Sequence, residues 1–276
     1  MKIFLLRTLI SLVLFFICNI SMVCHAGEQC RFISKGVEYC FLTLKPLQEI
    51  GDGKIHVVRI DPSKATLKLL TASENDKKAR TTAAWCKDFG LVAAINAGMY
   101  GQDLFTNVGY LRNGSYIQNR QWNKKYKSVL AFDPQKPEIP PAIMVDLEEP
   151  DAKERLKNYN AVIQNLRLIK GNGVNVWEMS DKRWSESAVG MDSLGRILFM
   201  FCQTPYPMRE FNEIIKSSGL GIVRMMHMEG GHIASLSVRT REISLDLAGS
   251  NESIITPDEV NKTQWPIPNI IGVKAI

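Results

Sequence analysis

Two short motifs place a polar side chain close to glycine at the end of an apolar run. Glu229 follows Met-Met-His-Met and precedes two glycines, while Asn96 follows the apolar run 91–95 and lies two residues before Gly98. Polar groups at such strand ends form the sites of open α/β sheets. We favour a functional role for Glu229 because burying an unused carboxylate is costly. The alternative, that both residues simply begin turns, stays open, especially for Asn96.

The elements expected to position these motifs follow one order: a helix, a glycine stop, an apolar strand and the polar residue. The first unit comprises helix 81–89, Gly90 and strand 91–95, and the second comprises helix 207–217, Gly219 and strand 221–226. Fully apolar strands are typically buried on both faces. We therefore expect the two strands in one sheet, with Asn96 and Glu229 opening into one pocket.

Strand patterns dominate the rest of the chain, and a third, charged helix is predicted over 151–159. The other predicted strands are 54–61, 65–70, 128–132, 161–163, 167–170, 196–202 and 233–238. The proline-rich stretch 133–141 is predicted as a loop because strand patterns resume on both sides. Together these predict an α+β fold, with a mixed β-sheet core and flanking helices in a single domain.

The N-terminus has the features of a secretory signal peptide over residues 1–26. Lys2 and Arg7 precede the apolar run 9–23, and Cys24-His25-Ala26 ends with small residues where signal peptidase cuts. The run is shorter than the roughly 20 residues of a spanning helix. An uncleaved anchor and a lipoprotein attached through Cys24 are the alternatives. Cleavage leaves one domain, residues 27–276, in the periplasm or outside the cell.

Export to an oxidising compartment would allow the cysteines of the mature domain to form disulfides. Cys30 and Cys40 flank the turn Lys35-Gly36 between two β-prone runs, which predicts a disulfide across a hairpin. Cys86 and Cys202 lie in apolar patterns, where buried thiols are favoured over a second bridge. The formal net charge of +6 includes two cations of the signal peptide, so it does not indicate nucleic-acid binding. It suits an anionic substrate or the surface of an anionic envelope.

Several familiar catalytic motifs are absent from the sequence. There is no Gly-x-Ser-x-Gly elbow and no Gly-x4-Gly-Lys phosphate loop. The four histidines lack zinc spacing, and the cysteines in apolar patterns are poor nucleophiles. We therefore expect no metal and no cofactor.

Four motifs in chain order resemble those of the phosphodiester glycosidase domain family, to which the enzyme that uncovers mannose 6-phosphate belongs. The first is Asn96-Ala97-Gly98-Met99-Tyr100, which resembles the family's Asn-Gly-Gly-aromatic-aromatic, and the second is Asn107-Val108-Gly109-Tyr110 with Asn113-Gly114, which resembles its Val-Gly…Asn-Gly hairpin. The third is Ser187-Ala188-Val189-Gly190, similar to the family's Arg-Thr-Ala-x-Gly. The fourth is Met228-Glu229-Gly230-Gly231 with Ala234-Ser235-Leu236, similar to its Leu-Asp-Gly-Gly…Ser-Ser-Leu. Each motif alone is weak, but the resemblance extends from about Ile55 to the C-terminus.

The chain departs from the family at three positions. Glu229 replaces the family's Asp and is one methylene longer; Glu186 stands in place of the Arg and so reverses its charge. His232 follows the glycines where smaller residues are usual. Arg183 lies three residues before position 186, where the family has Arg. It would take over the role of that Arg only if the loop has a different conformation from the family's.

The resemblance implies a secreted or periplasmic hydrolase that cleaves a sugar from a sugar-1-phosphodiester. Glu229 would act as base or nucleophile, Asn96 would orient the sugar or water, and Glu186 is the candidate second carboxylate. Asp192 is an alternative second carboxylate, although its sequence also fits a hairpin turn. Arg167 is a candidate phosphate clamp. The other expected substrate-binding residues are Gly98, Tyr100, Asn107, Ser187, Gly230, Gly231, His232 and Ser235.

Two other functions remain as alternatives. The reversed charge at Glu186 favours a non-catalytic envelope protein that binds glycan or cell-wall polymer in the same cleft. A metal-dependent phosphodiesterase would need a cluster of carboxylates and histidines that the sequence does not provide. The expected partner is a small or polymeric sugar phosphate, with no nucleic acid and no membrane span.

Overall fold

Eighteen β-strands and three short helices make up the part of the chain that the structure, a computed structural model, describes: residues 29–44, 50–250 and 262–275. The predicted signal peptide, residues 1–26, lies outside the described residues. Among the described helices, none combines the length and the apolar character that a membrane span requires.

The largest sheet has eight strands and carries the Glu229 motif. In spatial order its strands are β1 (Gln29–Ser34), β2 (Val37–Thr43), β3 (Lys54–Ile60), β14 (Ile197–Pro207), β13 (Arg183–Asp192), β15 (Ile222–Gly230), β11 (Arg167–Lys170) and β12 (Val174–Asn175). Strands β13 and β15 pair directly, which places the segment around Glu186 beside the segment around Glu229.

Two five-stranded sheets complete the fold. The first has the order β7 (Tyr116–Asn119), β6 (Leu111–Asn113), β10 (Tyr159–Asn165), β8 (Ser128–Pro134) and β9 (Ala142–Asp146). The second has the order β17 (Ser244–Ala248), β16 (Ser235–Arg239), β5 (Ala93–Asn96), β18 (Asn269–Ala275) and β4 (Ala65–Thr71). Apolar residues from all three sheets form the largest core cluster, in which Phe199, Ile163 and Ile95 are fully buried.

Helix boundaries follow local chemistry. Helix α1 (Thr82–Phe89) begins after Thr81, whose hydroxyl accepts from the N–H of Ala84, and ends at Gly90 with a left-handed φ of 63°. Helix α3 (Met208–Ser217) begins one residue later than predicted, because Pro207 is the N-cap residue with a non-helical ψ of 134°. Helix α2 (Ala152–Leu156) is shorter than predicted, because the chain enters strand β10 at Tyr159.

The N-terminal hairpin and the cysteines are as predicted. Strands β1 and β2 pair antiparallel with Cys30 opposite Cys40, and the two form a disulfide. Gly36 in the turn has a φ of +71°, which glycine adopts without strain. Cys86 and Cys202 are buried free thiols, and burial raises the pKa of Cys86 to about 12.

The structure corrects two expectations about the sheets. The fold has the helices and sheets of the predicted α+β class but is mainly β. Every pairing between the named strands is antiparallel, so the core sheet is not mixed as expected. The strand before Asn96 and the strand before Glu229 lie in different sheets. The two strands have similar apolar sequences because both are buried, and a strand can be buried in this way in either sheet.

Candidate active site

An irregularity in the pairing of β13 with β15 shapes the site. Ser187 lies opposite Glu229, but the next residue of β13, Ala188, lies opposite His227, so β15 carries one extra residue, Met228. Met228 is fully buried in the main core. Bulges of this kind bend the strand and re-aim side chains, and they are frequent next to active sites. His227 and Glu229 consequently both line one cavity.

The cavity has a volume of about 640 Å³ and mixes charge with aromatic surface. Glu229, Gly230 and Gly231 line it together with two cations, Lys182 and Arg183. Trp177, Trp184, Met99 and Leu166 contribute apolar surface. An anionic ligand with an apolar or sugar-ring portion would meet complementary groups here.

Glu229 is held by its own loop and by β13. Its Oε1 accepts from the N–H of Gly230 at 3.2 Å, and its backbone carbonyl accepts from the hydroxyl of Ser187 at 2.7 Å. Burial raises the pKa of Glu229, and the nearby charge of Glu186 adds to this, while His227 and the Gly230 N–H oppose it. A carboxyl with a raised pKa at a cavity is typical of acid–base catalysts.

Three hydrogen-bonded side chains lie beside Glu229: Trp184, which is partly buried, and the buried Glu186 and His227. Trp184 donates its indole N–H to Oε2 of Glu186 at 2.9 Å, and Oε1 of Glu186 lies 2.5 Å from Nδ1 of His227. Glu186 is only 2% exposed and His227 5% exposed. Burial raises the pKa of Glu186 against the opposing effect of His227. Glu186 thus contacts His227, not the cavity itself.

Gly230 is required because Trp184 packs against it. A Cβ atom at Gly230 would lie 2.4 Å from Cδ1 of the Trp184 indole, far inside van der Waals contact. The glycine therefore lets the indole approach the backbone and reach Glu186. In Gly231, a φ of +63° explains the second glycine of the motif.

The segment after β5 approaches the cavity from the second five-stranded sheet. Asn96 is fully buried and accepts from the N–H of Ser235 at 3.0 Å; its Nδ2 has no hydrogen bond to a described residue. Met99, three residues further on, lines the cavity. Tyr100 donates to the Asn269 carbonyl at 3.2 Å, and burial together with the Glu229 charge raises its pKa. Asn96 is thus buried in the sheet and does not line the cavity, whereas Met99 does.

Asn107 and Gly98 form a second close contact in this segment. Asn107 is fully buried and donates from Nδ2 to the carbonyl of Gly109 at 2.8 Å. Gly98 has a φ of +81°, and a Cβ there would lie 1.9 Å from Oδ1 of Asn107. The two residues therefore set the path of the chain toward Met99, and neither lines the cavity.

Arg167, Ser187, Ser235 and His232 do not line the cavity. Arg167 forms ion pairs with Asp146 at 2.5 Å and Glu148 at 2.8 Å, so two carboxylates already engage its guanidinium. Ser187 and Ser235 are buried within the sheets, and His232 stacks on Trp265 with ring centroids 4.9 Å apart. Of the four, Ser187 contacts the site, through its hydrogen bond to the Glu229 carbonyl.

Asp192, the alternative second carboxylate, forms the turn between β13 and β14. Its Oδ1 accepts from the N–H groups of Leu194 and Arg196, and its Oδ2 pairs with the Arg196 side chain at 2.6 Å. A carboxylate used in this way stabilises the hairpin.

Among the described residues, one group of three potential metal ligands lies close together: Cys30, Glu38 and Cys40. Its two thiols form the disulfide, so this group does not suit a metal ion. The cavity offers Glu229 and His227, with Lys182 and Arg183 beside them, a set that suits an anion better than a cation.

Sequence patterns missed His227, Lys182 and Trp184 as cavity residues. His227 looked like part of an apolar strand, and no strand was predicted over β13, so Trp184 and Glu186 had no predicted neighbours. In the structure Glu186 and Ala188 share one face of β13 and Ser187 and Val189 the other. Polar and apolar residues occur on both faces, so the sequence of β13 lacks the alternation that predicts a strand.

Comparisons with known proteins concern the family and the fold of the chain. The family model described as phosphodiester glycosidase matches residues 89–274. No curated protein sequence matches the chain significantly.

Two solved structures resemble the fold. One is the catalytic domain of zebrafish N-acetylglucosamine-1-phosphodiester alpha-N-acetylglucosaminidase, auto-inhibited by its pro-peptide, with a TM-score of 0.62, 10% identity, and coverage of 90% of this chain and 88% of that one. The other is a hypothetical protein from Synechocystis, with a TM-score of 0.57, 15% identity, and coverage of 87% of this chain and 62% of that one. At these identities the likeness concerns the fold.

Proposed function

Because the chain belongs to the phosphodiester glycosidase family, we propose that it is an exported hydrolase that cleaves a sugar from a sugar-1-phosphodiester. The observation that carries the proposal is the position of Glu229. Its carboxylate lines a cavity of about 640 Å³, next to the cations Lys182 and Arg183. A carboxylate for the sugar carbon and cations for the phosphate are the two things this reaction needs.

The chemistry assigned to Glu229 follows from the leaving group. A phosphate leaves readily, so the enzyme must chiefly hold the anion and support the oxocarbenium-like carbon. Glu229 acts as base toward water or as nucleophile toward that carbon. Burial places its pKa above the ordinary glutamate value and closer to neutrality, which suits a base that must be ionised and yet accept a proton.

Asn96 and Glu186 act on the site without lining the cavity. Asn96 binds the N–H of Ser235 and so joins β5 to the segment that follows Gly231. Glu186 fixes the His227 ring from behind. We assign both as positioning residues, and Lys182 and Arg183 as the cations that attract the substrate's phosphate.

Export is supported by the Cys30–Cys40 disulfide, because such bonds persist in oxidising compartments. We assign residues 1–26 as the signal peptide and residues 27–276 as the mature domain. In that setting the substrate is a sugar phosphodiester of the envelope or the surroundings.

A second candidate is a non-catalytic protein that binds sugar phosphates in the same cavity. The observation in its favour is the carboxylate of Glu186 at the position where the related motif has arginine. Both functions are tested by incubating the mature protein with methyl phosphodiesters of several sugar 1-phosphates. Free sugar and methyl phosphate are the products that the hydrolase predicts. Binding without turnover would favour the second candidate, and sugar phosphate with methanol would indicate a phosphodiesterase.

A further inference from the structure

We propose that the imidazole of His227, held from behind by Glu186, binds the phosphate group of the ligand in the cavity. The inference rests on the proposed function only in taking the ligand to be a phosphodiester. It assigns His227 a binding role and makes Glu186 a positioning residue rather than a second catalytic carboxylate.

The geometry leaves one nitrogen of His227 available. Nδ1 is taken by Glu186 at 2.5 Å, and Glu186 is itself fixed by the indole N–H of Trp184. Among the described residues none forms a hydrogen bond with Nε2, although the side chain is more than nine-tenths buried and lines the cavity. A carboxylate at Nδ1 fixes the ring's orientation and makes Nδ1 a donor, which leaves Nε2 to face a ligand.

The charges around His227 favour its protonated form. In the described part of the chain, Glu186 on β13 and Glu229 on its own strand act on it, and Lys182 and Arg183 line the same cavity. Burial lowers the pKa of His227, but Glu186 and then Glu229 outweigh burial and raise it. An imidazolium donates from both nitrogens, so Nε2 offers a charged N–H to a phosphate oxygen.

This arrangement gives the reversed charge at position 186 a physical role. The related motif has arginine there, whereas this chain has a buried glutamate whose neighbour across the strands is a histidine. Glu186 contributes the negative charge that keeps His227 positive, so the neighbouring strand presents a cation to the cavity. This cation titrates, whereas an arginine would stay charged at every physiological pH.

His56 provides a matched control within the same sheet. It is a second buried histidine beside a carboxylate, but both its nitrogens are occupied: Nδ1 by the hydroxyl of Tyr39 at 2.6 Å and Nε2 by Asp52 at 2.5 Å. It does not line the cavity. A phosphodiester should therefore act on His227 and leave His56 unchanged.

The test is an NMR pH titration of the imidazole resonances in the mature protein, with and without dibutyl phosphate. This diester keeps one negative charge across the pH range of the titration, so any change in the titration curve reports ionisation of the protein and not of the ligand. If the imidazolium binds it about tenfold more tightly than neutral imidazole, linkage raises the pKa of His227 by about one unit at saturation. His227→Gln should remove the shifting resonance and weaken binding about tenfold, whereas His56→Gln should change neither.

The inference is contradicted if dibutyl phosphate leaves the His227 titration unchanged, or if His227→Gln binds it as tightly as the wild type. The titration of wild-type His227 tests phosphate binding even if the His227→Gln variant folds poorly. Since the readout is binding, its failure differs from a failure of the proposed function. A protein that hydrolyses no sugar phosphodiester can still pass this test, and an active hydrolase can fail it.

Discussion

Glu186 and His227 face each other across two neighbouring strands, with Oε1 of the glutamate 2.5 Å from Nδ1 of the histidine. Both are nearly inaccessible to solvent, yet His227 also lines the cavity that contains Glu229. A buried ion pair of this kind is poor evidence for stability, because the cost of desolvation offsets much of the attraction. Its position behind a candidate catalytic carboxylate indicates a role in function.

Replacing Glu186 by Gln should shift the pH dependence of activity toward lower pH. The negative charge of Glu186 raises the pKa of His227, so the imidazolium and its contribution persist to higher pH and are lost as pH rises through that raised value. Without Glu186 the pKa falls, and each unit of the fall reduces the protonated fraction about tenfold at alkaline pH. The measurement is kcat/KM on a sugar phosphodiester between pH 5 and pH 9.

In this variant the loss should be smallest at the acidic end of the range, where the imidazolium is most populated. A loss of kcat at every pH, as large as that caused by removing Glu229, would instead make Glu186 the second carboxylate of a two-carboxylate mechanism.

Substituting Gly98 by Ala should destabilise the protein and weaken activity. The residue has a φ of +81°, and a Cβ would lie 1.9 Å from Oδ1 of Asn107, so the alanine adds a clash to the backbone strain. Gly195 is the matched control, with a φ of +77° and open space around it. We expect Gly98→Ala to lower the free energy of unfolding by about 1–3 kcal/mol more than Gly195→Ala. Denaturant unfolding of both variants checks this, and equal losses would contradict the close contact.

Removing the disulfide with Cys30→Ser and Cys40→Ser should lower stability but preserve the site. The two cysteines are 10 residues apart, for which loop closure predicts a loss of about 2–3 kcal/mol. The hairpin of β1 and β2 lies at the end of the large sheet, away from β13 and β15. Thermal melting and peptide mapping without reductant measure the effect. Free thiols at both positions in the exported protein would show that the bond does not form.

How much could be predicted from the sequence depended on the range of the interactions. The Cys30–Cys40 hairpin, the glycine stop of α1 and the Gly36 turn were predictable because neighbouring residues determine them. The assignment of β5 and β15 to different sheets was not, because apolar strands look alike whichever sheet buries them.

In the site, too, residues marked by their local sequence were predictable, and residues defined by distant partners were not. Glu229 stood out because a carboxylate beside two glycines is unusual after an apolar run. His227 did not, since its partner Glu186 lies 41 residues away and meets it only through the pairing of β13 with β15. Likewise, nothing in the sequence showed that Asp146 and Glu148 would engage Arg167.

The most direct measurement of the central claim is turnover of a sugar-1-phosphodiester by the wild type, Glu229→Gln and Glu229→Asp. Gln keeps the shape of the side chain but can act neither as base nor as nucleophile, so activity should fall about a hundred- to ten-thousand-fold or more. Asp should retain part of it, since drawing the carboxylate back by about 1 Å costs on the order of a hundredfold. Glu154→Gln, an exposed glutamate on α2, is the control and should be unaffected. Release of free sugar by Glu229→Gln at the wild-type rate would contradict the account.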